Sequence, residues 1–383
     1  MLTSDMRDDK IDRSPKSTLY KPSPSFPRSS TRTQAQSTKM TVTIARRKIL
    51  GIGYPRFAIP EWQALAEAYD IHYFVPDERE QVVSEVKRLC DQEGPFDAAY
   101  VLFGTAAYSP FHPDMLSPLF DKPGHCGLFA QGGAGYDDVD HPYLAANGCY
   151  LSNTPRAVTE ATADMAILLM LSAVRGLYES ELNARAGRWR KDLALSDDPT
   201  EMTIGIIGLG AIGKSMARKT KPWDMKILYH NRKPLPKEEE EALGATYVSL
   251  DTLLAQSDII STNCPLTPDT RGILSDKEFE KMKDGVFIVN TARGAVIDEP
   301  ALIRALESGK VKRAGLDVLT TEPCVSSPLY SMKNVTLQPH VGAFTKGTIL
   351  RGEREVFANV KQYMETGVPV NPVNKPVKIH KSS

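Results

Sequence analysis

Short apolar segments alternate with helical or turn sequence from residue 46 onward. A first set of segments is rich in β-branched and aromatic residues, as buried strands are: KILGIG, HYFVP, AAYVLFG and GLFAQ. A second set has the same character: MTIGIIGLG, MKILYHN, DIISTNC, VFIVNTA, AGLDVL and VTLQPH. Strands that alternate with helices predict a parallel, doubly wound sheet. The fold class is therefore α/β, and the six strands of the second set are enough for a complete dinucleotide-binding unit.

A long helical pattern separates the two sets. It runs from about Thr154 through RAVTEATADMAILLMLSAVRGLYESELNARAG and is apolar almost all round in its middle. A helix of this kind is expected to be a buried connector between domains or part of a subunit interface. The longest apolar run, near Met165 to Val174, is too short to cross a bilayer, so we expect no membrane partner.

Composition narrows the class of protein. The 383 residues suffice for two domains, and 41% hydrophobic and 25% charged residues are ordinary for a globular protein. The formal net charge is zero, so no nucleic-acid partner is expected. The five cysteines show no CxxC spacing, which favours reduced thiols in the cytoplasm over a disulfide framework or a metal site.

The first 39 residues differ from the rest of the chain. They include 17 Ser, Thr or Pro and few large apolar residues, so residues 1–45 are predicted to be a disordered extension. A mitochondrial presequence is the alternative, but the acidic residues Asp5, Asp8, Asp9 and Asp12 oppose it. Met40 is a second candidate start of the protein.

A glycine-rich turn follows the first strand of the second set. In GLGAIG the three glycines have the spacing that a dinucleotide site needs for a tight turn, for close approach of the pyrophosphate and for packing of the helix on the strand. Glycines also mark ordinary tight turns, but here a strand comes directly before and a helix directly after. The predicted pyrophosphate-binding residues are Gly208, Leu209, Gly210, Ala211, Ile212 and Gly213.

The end of the next strand indicates which dinucleotide binds. NAD-binding sites carry an acidic residue there, about 20 residues on, whereas this chain has Asn231 followed by Arg232 and Lys233. An additional ribose phosphate would be repelled by a carboxylate and attracted by a guanidinium. The sequence predicts an NADP(H) pocket, with NAD(H) as a second possibility; the alternative is a solvated basic loop.

These motifs resemble those of the D-isomer-specific 2-hydroxyacid dehydrogenases, and within that family the glyoxylate/hydroxypyruvate reductases. The match extends from about residue 48 to 373 and has the family's motifs in order: GLGAIG, SDIISTNCPLTPDTRG, NTARGAVIDEPALIRAL, AGLDV, TEP and QPHVGAFT. The resemblance implies a Rossmann coenzyme domain inserted into a flavodoxin-like catalytic domain. It assigns residues 46–153 and 345–373 to the catalytic domain, 154–344 to the coenzyme domain with its linker helix, and 374–383 to a tail. It also implies a homodimer.

The resemblance assigns three catalytic residues. Arg293, in NTARG, would hold the carboxylate and carbonyl oxygen of a 2-oxo acid with its planar fork of donors. Because it closes a buried apolar strand, we expect no surface ion pair for it. His340, in QPHVG, would donate the proton that carbonyl reduction requires. Glu322, in TTEP, would accept a hydrogen bond from the imidazole, orient it and favour its protonated form.

Further site residues come from the same resemblance. Asp317, in AGLDV, would lie near the nicotinamide carboxamide; a structurally paired buried carboxylate is the alternative. The main chain of Cys264, Pro265 and Thr291 would line the coenzyme. FGTA follows a strand of the catalytic domain, and its main-chain N–H groups would bind the substrate carboxylate, which selects Phe103, Gly104 and Thr105. The loop GGAGYD, from Gly132, is expected to be structural.

Departures from the family pattern leave the substrate open. Phe344 stands where many relatives have a small residue, and it is expected to admit a bulkier or more apolar 2-oxo acid than glyoxylate. Trp189 is expected to pack in the core or an interface, or to reach a partner subunit's pocket. The predicted activity is NADPH-dependent reduction of a 2-oxo acid to the D-2-hydroxy acid. A dinucleotide-sensing corepressor of the same fold is the alternative from another class.

Overall fold

The computed structural model describes residues 46–377, apart from 105–107, 123, 125 and 324–326. The predicted N-terminal extension, Thr105, Cys324 and the end of the tail lie outside the described residues. The described residues form two parallel sheets, each with helices on both faces. The doubly wound α/β class predicted from the sequence is confirmed.

The first sheet has five strands in the order β2-β1-β3-β4-β5, which is the flavodoxin-like order. Its strands are β1 Lys48–Ile52, β2 Asp70–Phe74, β3 Ala98–Val101, β4 Leu128–Gln131 and β5 Tyr150–Ser152. Its helices are α1 Ile59–Ala68, α2 Arg79–Gln92, α3 Pro113–Leu116 and α4 His141–Ala146. The first four strands match the predicted segments. Strand β5 has only three residues, too few to show a period in the sequence.

The second sheet has seven strands in the order β12-β11-β10-β9-β6-β7-β8. They are β6 Thr203–Ile207, β7 Lys226–His230, β8 Ala245–Tyr247, β9 Ile259–Thr262, β10 Val286–Asn290, β11 Val311–Leu316 and β12 Val335–Leu337. The helices between them are α7 Ala211–Thr220, α8 Lys237–Leu243, α9 Leu250–Gln256, α10 Asp276–Lys281 and α11 Glu299–Glu307. The order reverses between β6 and β9, which is where open α/β sheets bind ligands.

The long helical pattern forms two helices rather than one: α5 Pro155–Arg175 and α6 Leu177–Arg185. Gly176 separates them in the left-handed conformation, with φ at 60°, and Arg313 lies so close that a side chain at 176 would contact its guanidinium. Helix α5 extends well beyond the apolar run near Met165 to Val174, and by length and composition alone it could cross a membrane. More than half of its most apolar part is buried, and it packs on β10, β11 and α7 as a core helix.

The last helix, α12 Lys346–Thr366, returns to the first sheet. Val356, Phe357 and Val360 are buried against that sheet, and the rings of Phe357 and Tyr100 lie 5.5 Å apart. Glu353 on the same helix is buried and accepts hydrogen bonds from the main-chain N–H groups of residues 56–58, which directly precede α1. A buried carboxylate is tolerated here because several donors compensate for its lost hydration.

Candidate active site

Arg293 follows the carboxyl end of β10, and a buried side chain fixes the turn that carries it. The amide of Asn290 donates to the carbonyl of Arg293 at 2.8 Å, and its oxygen accepts from the N–H of Ala292 at 3.0 Å. Sequence reasoning missed Asn290, although a buried amide at a strand end is a recognisable signal. Its two hydrogen bonds hold the main chain from which the guanidinium extends.

The guanidinium of Arg293 reaches from the second sheet to the loop that follows β4 in the first. Its Nε lies 2.9 and 3.2 Å from the two carboxylate oxygens of Asp137, and Nη1 donates to the carbonyl of Ala292 at 2.9 Å. The side chains of Arg293 and Asp137 are 29% and 28% exposed. The expectation that Arg293 makes no surface ion pair was therefore wrong, because the partner belongs to the other sheet and cannot be identified from the strand alone.

His340 and Glu322 form a second pair. Nδ1 of His340 lies 2.5 Å from one oxygen of Glu322, and the other oxygen accepts the N–H of Leu319 at 2.8 Å. Burial by itself would raise the pKa of Glu322, but the hydrogen bond and charge of His340 outweigh it, so that pKa lies below its usual range. Glu322 therefore remains a carboxylate, and the Nε2 side of the imidazole is left to act on another group.

Asp317 holds the turn that carries His340. Its carbonyl accepts from the N–H of His340 at 2.7 Å, and its two carboxylate oxygens accept from Val341 and Gly342 at 2.8 Å each. These bonds compensate for a left-handed main chain at His340, whose φ is 55°. Burial raises the pKa of Asp317, and the two N–H donors act in the opposite direction. These contacts are those of a structurally paired buried carboxylate. That Asp317 also lies near the nicotinamide carboxamide stays a prediction.

The glycine-rich turn between β6 and α7 gives each glycine a different environment. Gly208 has φ at 97°, and a Cβ there would lie 2.7 Å from the nitrogen of Cys264. A Cβ on Gly213 would lie 2.4 Å from the carbonyl oxygen of Gly208, so the helix packs directly on the turn. A Cβ on Gly210 would meet nothing within 4 Å, and this residue caps the N-terminus of α7. The turn therefore fits a pyrophosphate, which needs open space beside helix N–H groups.

The residues after β7 differ in what they do. Asn231 accepts the N–H of Leu209 at 2.7 Å, so its side chain ties the strand end to the glycine-rich turn. Arg232 and Lys233 are exposed. Ala211 and Ile212 form the first turn of α7. No acidic residue occupies positions 231–233, so the end of β7 presents positive rather than negative charge where a ribose is expected.

The other predicted coenzyme residues lie at the ends of neighbouring strands. Cys264 and Pro265 follow β9, and Thr291 follows β10. The hydroxyl oxygen of Thr291 is buried, and among the described residues it has no hydrogen-bond partner. Such an atom fits a site whose polar ligand completes the hydrogen bonding. Burial raises the pKa of the Cys264 thiol to about 11, so this cysteine remains a thiol at neutral pH.

The predicted substrate loop begins at the carboxyl end of β3. The side chain of Phe103 fills space between Gly132 and Gly352, where an added Cβ would lie 3.0 and 2.0 Å from its ring. Gly104 has φ at 95° and faces open space, while Thr105 is outside the described residues. Phe344 lies in the turn before α12 and is 66% exposed. Trp189 is 72% exposed, so packing in the core of the subunit is excluded for it.

Comparison with known proteins supports the same family. Residues 167–342 match the family model of the D-isomer specific 2-hydroxyacid dehydrogenase, NAD binding domain. The chain is 42% identical to 4-methyl-2-oxopentanoate reductase A of Aspergillus oryzae, over 82% of this chain and 94% of that protein. It is similar to the crystal structure of a glyoxylate reductase from Paecilomyes thermophila, with 42% identity, a TM-score of 0.79 and coverage of 86% and 98%.

A third similarity concerns a structure with bound ligands. The NADPH-dependent glyoxylate/hydroxypyruvate reductase of Sinorhizobium meliloti, in complex with NADP and malonate, is 29% identical to this chain with a TM-score of 0.72. The match covers 88% of this chain and 99% of that one. The similarities to these three proteins cover 82%, 86% and 88% of this chain and so span both sheets, whereas the family model covers only residues 167–342.

Proposed function

This chain belongs to the D-isomer specific 2-hydroxyacid dehydrogenase family, and on that premise we propose its coenzyme, the roles of its residues and its substrate class. The chain is an NAD(P)-dependent 2-oxo acid reductase, and its substrates are small 2-oxo and 2-hydroxy acids. The enzyme prediction is confirmed in preference to the corepressor alternative. We propose NADPH as the preferred coenzyme and the D-2-hydroxy acid as the product.

The His340–Glu322 pair is the observation that carries the proposed mechanism. A bound nicotinamide dinucleotide supplies the hydride. Because Nδ1 of His340 faces the carboxylate of Glu322 at 2.5 Å, Nε2 is the nitrogen that donates a proton to the substrate carbonyl oxygen. Glu322 accepts the hydrogen bond of Nδ1 and keeps the ring oriented, and the proton that Nε2 gives to the substrate must be replaced before the next turnover.

Arg293 binds the acid group of the substrate in this proposal. Its Nε and one hydrogen of Nη1 are engaged by Asp137 and Ala292, so the outer nitrogens retain donors for the carboxylate and carbonyl oxygens. The guanidinium is planar and directional, which fixes the face of the carbonyl that accepts the hydride. We propose the D configuration of the product because the chain belongs to a family that is specific for the D isomer.

NADPH preference is supported by the end of β7. Asn231 uses its oxygen on the N–H of Leu209 and brings no charge, while Arg232 and Lys233 are exposed beside it. A ribose phosphate would gain charge-assisted hydrogen bonds there and meet no repelling carboxylate at these three positions. Gly210 and the N-terminus of α7 would hold the pyrophosphate.

Phe344 supports a substrate larger than glyoxylate. Its ring is largely exposed in the turn four residues after His340, and a similar protein is named for reduction of the branched 4-methyl-2-oxopentanoate. Binding of a substrate with an apolar side chain would be favoured, because the side chain would cover this ring and remove apolar surface from water. We therefore propose branched or aromatic 2-oxo acids as the preferred class, with glyoxylate and hydroxypyruvate as poorer substrates.

Initial rates test the proposed coenzyme and substrate class, and analysis of the product tests its configuration. NADPH and NADH should be compared with glyoxylate, hydroxypyruvate, 4-methyl-2-oxopentanoate and an aromatic 2-oxo acid, and the product should be resolved by chirality. Higher kcat/KM with NADPH and with the bulky acids is expected. Preference for the two small acids would contradict the role of Phe344, and preference for NADH would contradict the role of Arg232.

A homodimer is proposed from the exposed apolar residues that follow α5. Leu177, Trp189 and Leu195 are 48%, 72% and 93% exposed, which is costly for a lone subunit. Sedimentation of the wild type and of Trp189→Glu tests this proposal. A wild-type protein that sediments as a monomer at micromolar concentration would contradict it.

A further inference from the structure

The loop that follows β4, residues 132–138, is fixed to the rest of the first sheet and is here named the β4 loop. Gly133 exchanges two hydrogen bonds with Thr154, whose hydroxyl accepts the N–H of Gly133 at 2.7 Å and whose N–H donates to its carbonyl at 2.8 Å. Asn153 donates to the carbonyl of Ala134 at 2.7 Å. Asn153 and Thr154 lie directly before α5. Because they bind the main chain of the loop, the loop has little freedom to move.

The β4 loop encloses the guanidinium of Arg293. A Cβ added to Gly135 would lie only 1.5 Å from Nη2 of Arg293, which means that the guanidinium packs directly on the main chain of this glycine. The carbonyl of Gly135 accepts from the side chain of Gln131 at 3.1 Å, which fixes the surface on which the guanidinium lies. Among the residues described, no side chain other than hydrogen fits at position 135 while Arg293 keeps this conformation.

Some N–H donors of Arg293 are hydrogen-bonded within the protein and others are not. Asp137 takes Nε with both carboxylate oxygens, and the carbonyl of Ala292 takes Nη1. Within the described part of the chain, Nη2 makes no hydrogen bond, and it lies against the main chain of Gly135. Asp137 therefore approaches the inner edge of the guanidinium and leaves the outer edge unobstructed.

We propose that Asp137 is a positioning residue that fixes the guanidinium plane of Arg293 so that its outer donors face the 2-oxo acid. This inference rests on the proposed role of Arg293 in substrate binding. An arginine side chain has four rotatable bonds, and ordering it when substrate arrives would reduce affinity. Asp137 and Gly135 order it beforehand, and they do so from the loop after β4 of the first sheet, which makes substrate affinity depend on residues of both sheets.

Asp138 is the neighbouring carboxylate and does not take this role. It is half-buried, and its loss of hydration followed by the charge of Asp137 raises its pKa. Its side chain lies 3.4 Å from the amide nitrogen of Gln131, and it makes no ion pair with Arg293. The charged partner of Arg293 is therefore Asp137.

A blocking role predicts the opposite effect on affinity. If Asp137 occupied the place of the substrate carboxylate, its removal would free Arg293 and lower the KM for the 2-oxo acid. If Asp137 orients Arg293, its removal raises that KM. The direction of the change decides between the two roles without reference to its size.

The first experiment compares Asp137→Ala and Asp137→Asn with the wild type. We expect the KM for the 2-oxo acid to rise about tenfold in Asp137→Ala, with a smaller change in kcat and an unchanged KM for NADPH. Asp137→Asn keeps one acceptor for Nε and is expected to give an intermediate KM. The control is Asp114→Ala, which removes a similar ion pair between Asp114 of α3 and Arg79 of α2. An unchanged or lowered KM in Asp137→Ala would overturn the inference.

The second experiment does not depend on turnover. Oxamate carries a carboxylate beside an amide carbonyl and cannot accept a hydride readily, so its Kd for the enzyme–NADPH complex reports binding at the substrate site without turnover. Asp137→Ala and Gly135→Ala should each weaken oxamate binding, and Asp137→Ala should have no further effect in an Arg293→Ala background. An additive loss in the double variant would overturn the inference. Absence of turnover in the wild type would instead overturn the proposed function.

Discussion

Nδ1 of His340 lies 2.5 Å from Oε2 of Glu322, although 18 residues separate them along the chain. His340 holds this place with a left-handed main chain, which the three hydrogen bonds to Asp317 compensate. Both the main chain and the imidazole ring of His340 are therefore held in place. Such constraint is what a proton donor needs, because a misplaced ring reduces turnover sharply.

Replacement of His340 should separate chemistry from coenzyme binding. We expect His340→Ala and His340→Asn to lower kcat by about a hundredfold to ten-thousandfold, since a positioned general acid contributes on that order. Asn tolerates a left-handed main chain better than Ala and so controls for strain. NADPH affinity, measured by fluorescence titration, should remain within about twofold of the wild type. If kcat in both variants equalled that of the wild type, His340 would not be the proton donor.

Glu322 should give the protein a pH-dependent stability that Glu322→Gln lacks. Its pKa is lowered in the folded state, so the carboxylate stabilises the fold above its ordinary value of 4.5, and this contribution is lost as the pH falls through the lower folded value. The Tm difference between wild type and Glu322→Gln should therefore be largest near neutral pH and shrink below about pH 4.5. A constant difference across that range would contradict the assignment.

Two glycines of the same turn should respond differently to alanine. Gly210→Ala places its methyl group in open space, so we expect an unchanged Tm but a rise of roughly tenfold in the KM for NADPH. Gly213→Ala forces its methyl group against the carbonyl of Gly208, and overpacking of this kind costs on the order of 1–3 kcal/mol of unfolding free energy. Thermal unfolding and coenzyme titration of both variants test the prediction. Equal loss of Tm in both would contradict it.

Arg232 should determine coenzyme preference. A charge-assisted hydrogen bond contributes about 1.5–3 kcal/mol, so Arg232→Ala should lower kcat/KM for NADPH by roughly tenfold to a hundredfold. The value for NADH should change little, because NADH has no phosphate at that position. Arg88→Ala, on an exposed face of α2, is the charge-matched control. Parallel losses with both coenzymes would show that Arg232 acts on something other than the ribose phosphate.

Most of the fold was predictable because most of its strands are buried on both faces. All ten apolar segments fall on strands of the structure, and the two described strands that were missed, β5 and β8, have three residues each. The break at Gly176 was missed for a different reason. The helical period continues through it, and a single glycine inside such a pattern does not by itself mark a helix end.

The sequence by itself determined which residues stand at the carboxyl ends of the strands. Arg293, His340 and the glycine-rich turn were located by strand patterns and motifs, which are local properties of the chain. Only the tertiary structure determined their partners. Asp137 lies 156 residues before Arg293 and reaches it from another sheet, and Asp317 binds the turn of His340 from the end of β11. Such pairs depend on how separate elements pack together, because hydrogen bonds and ion pairs form between groups close in space whatever their distance along the chain.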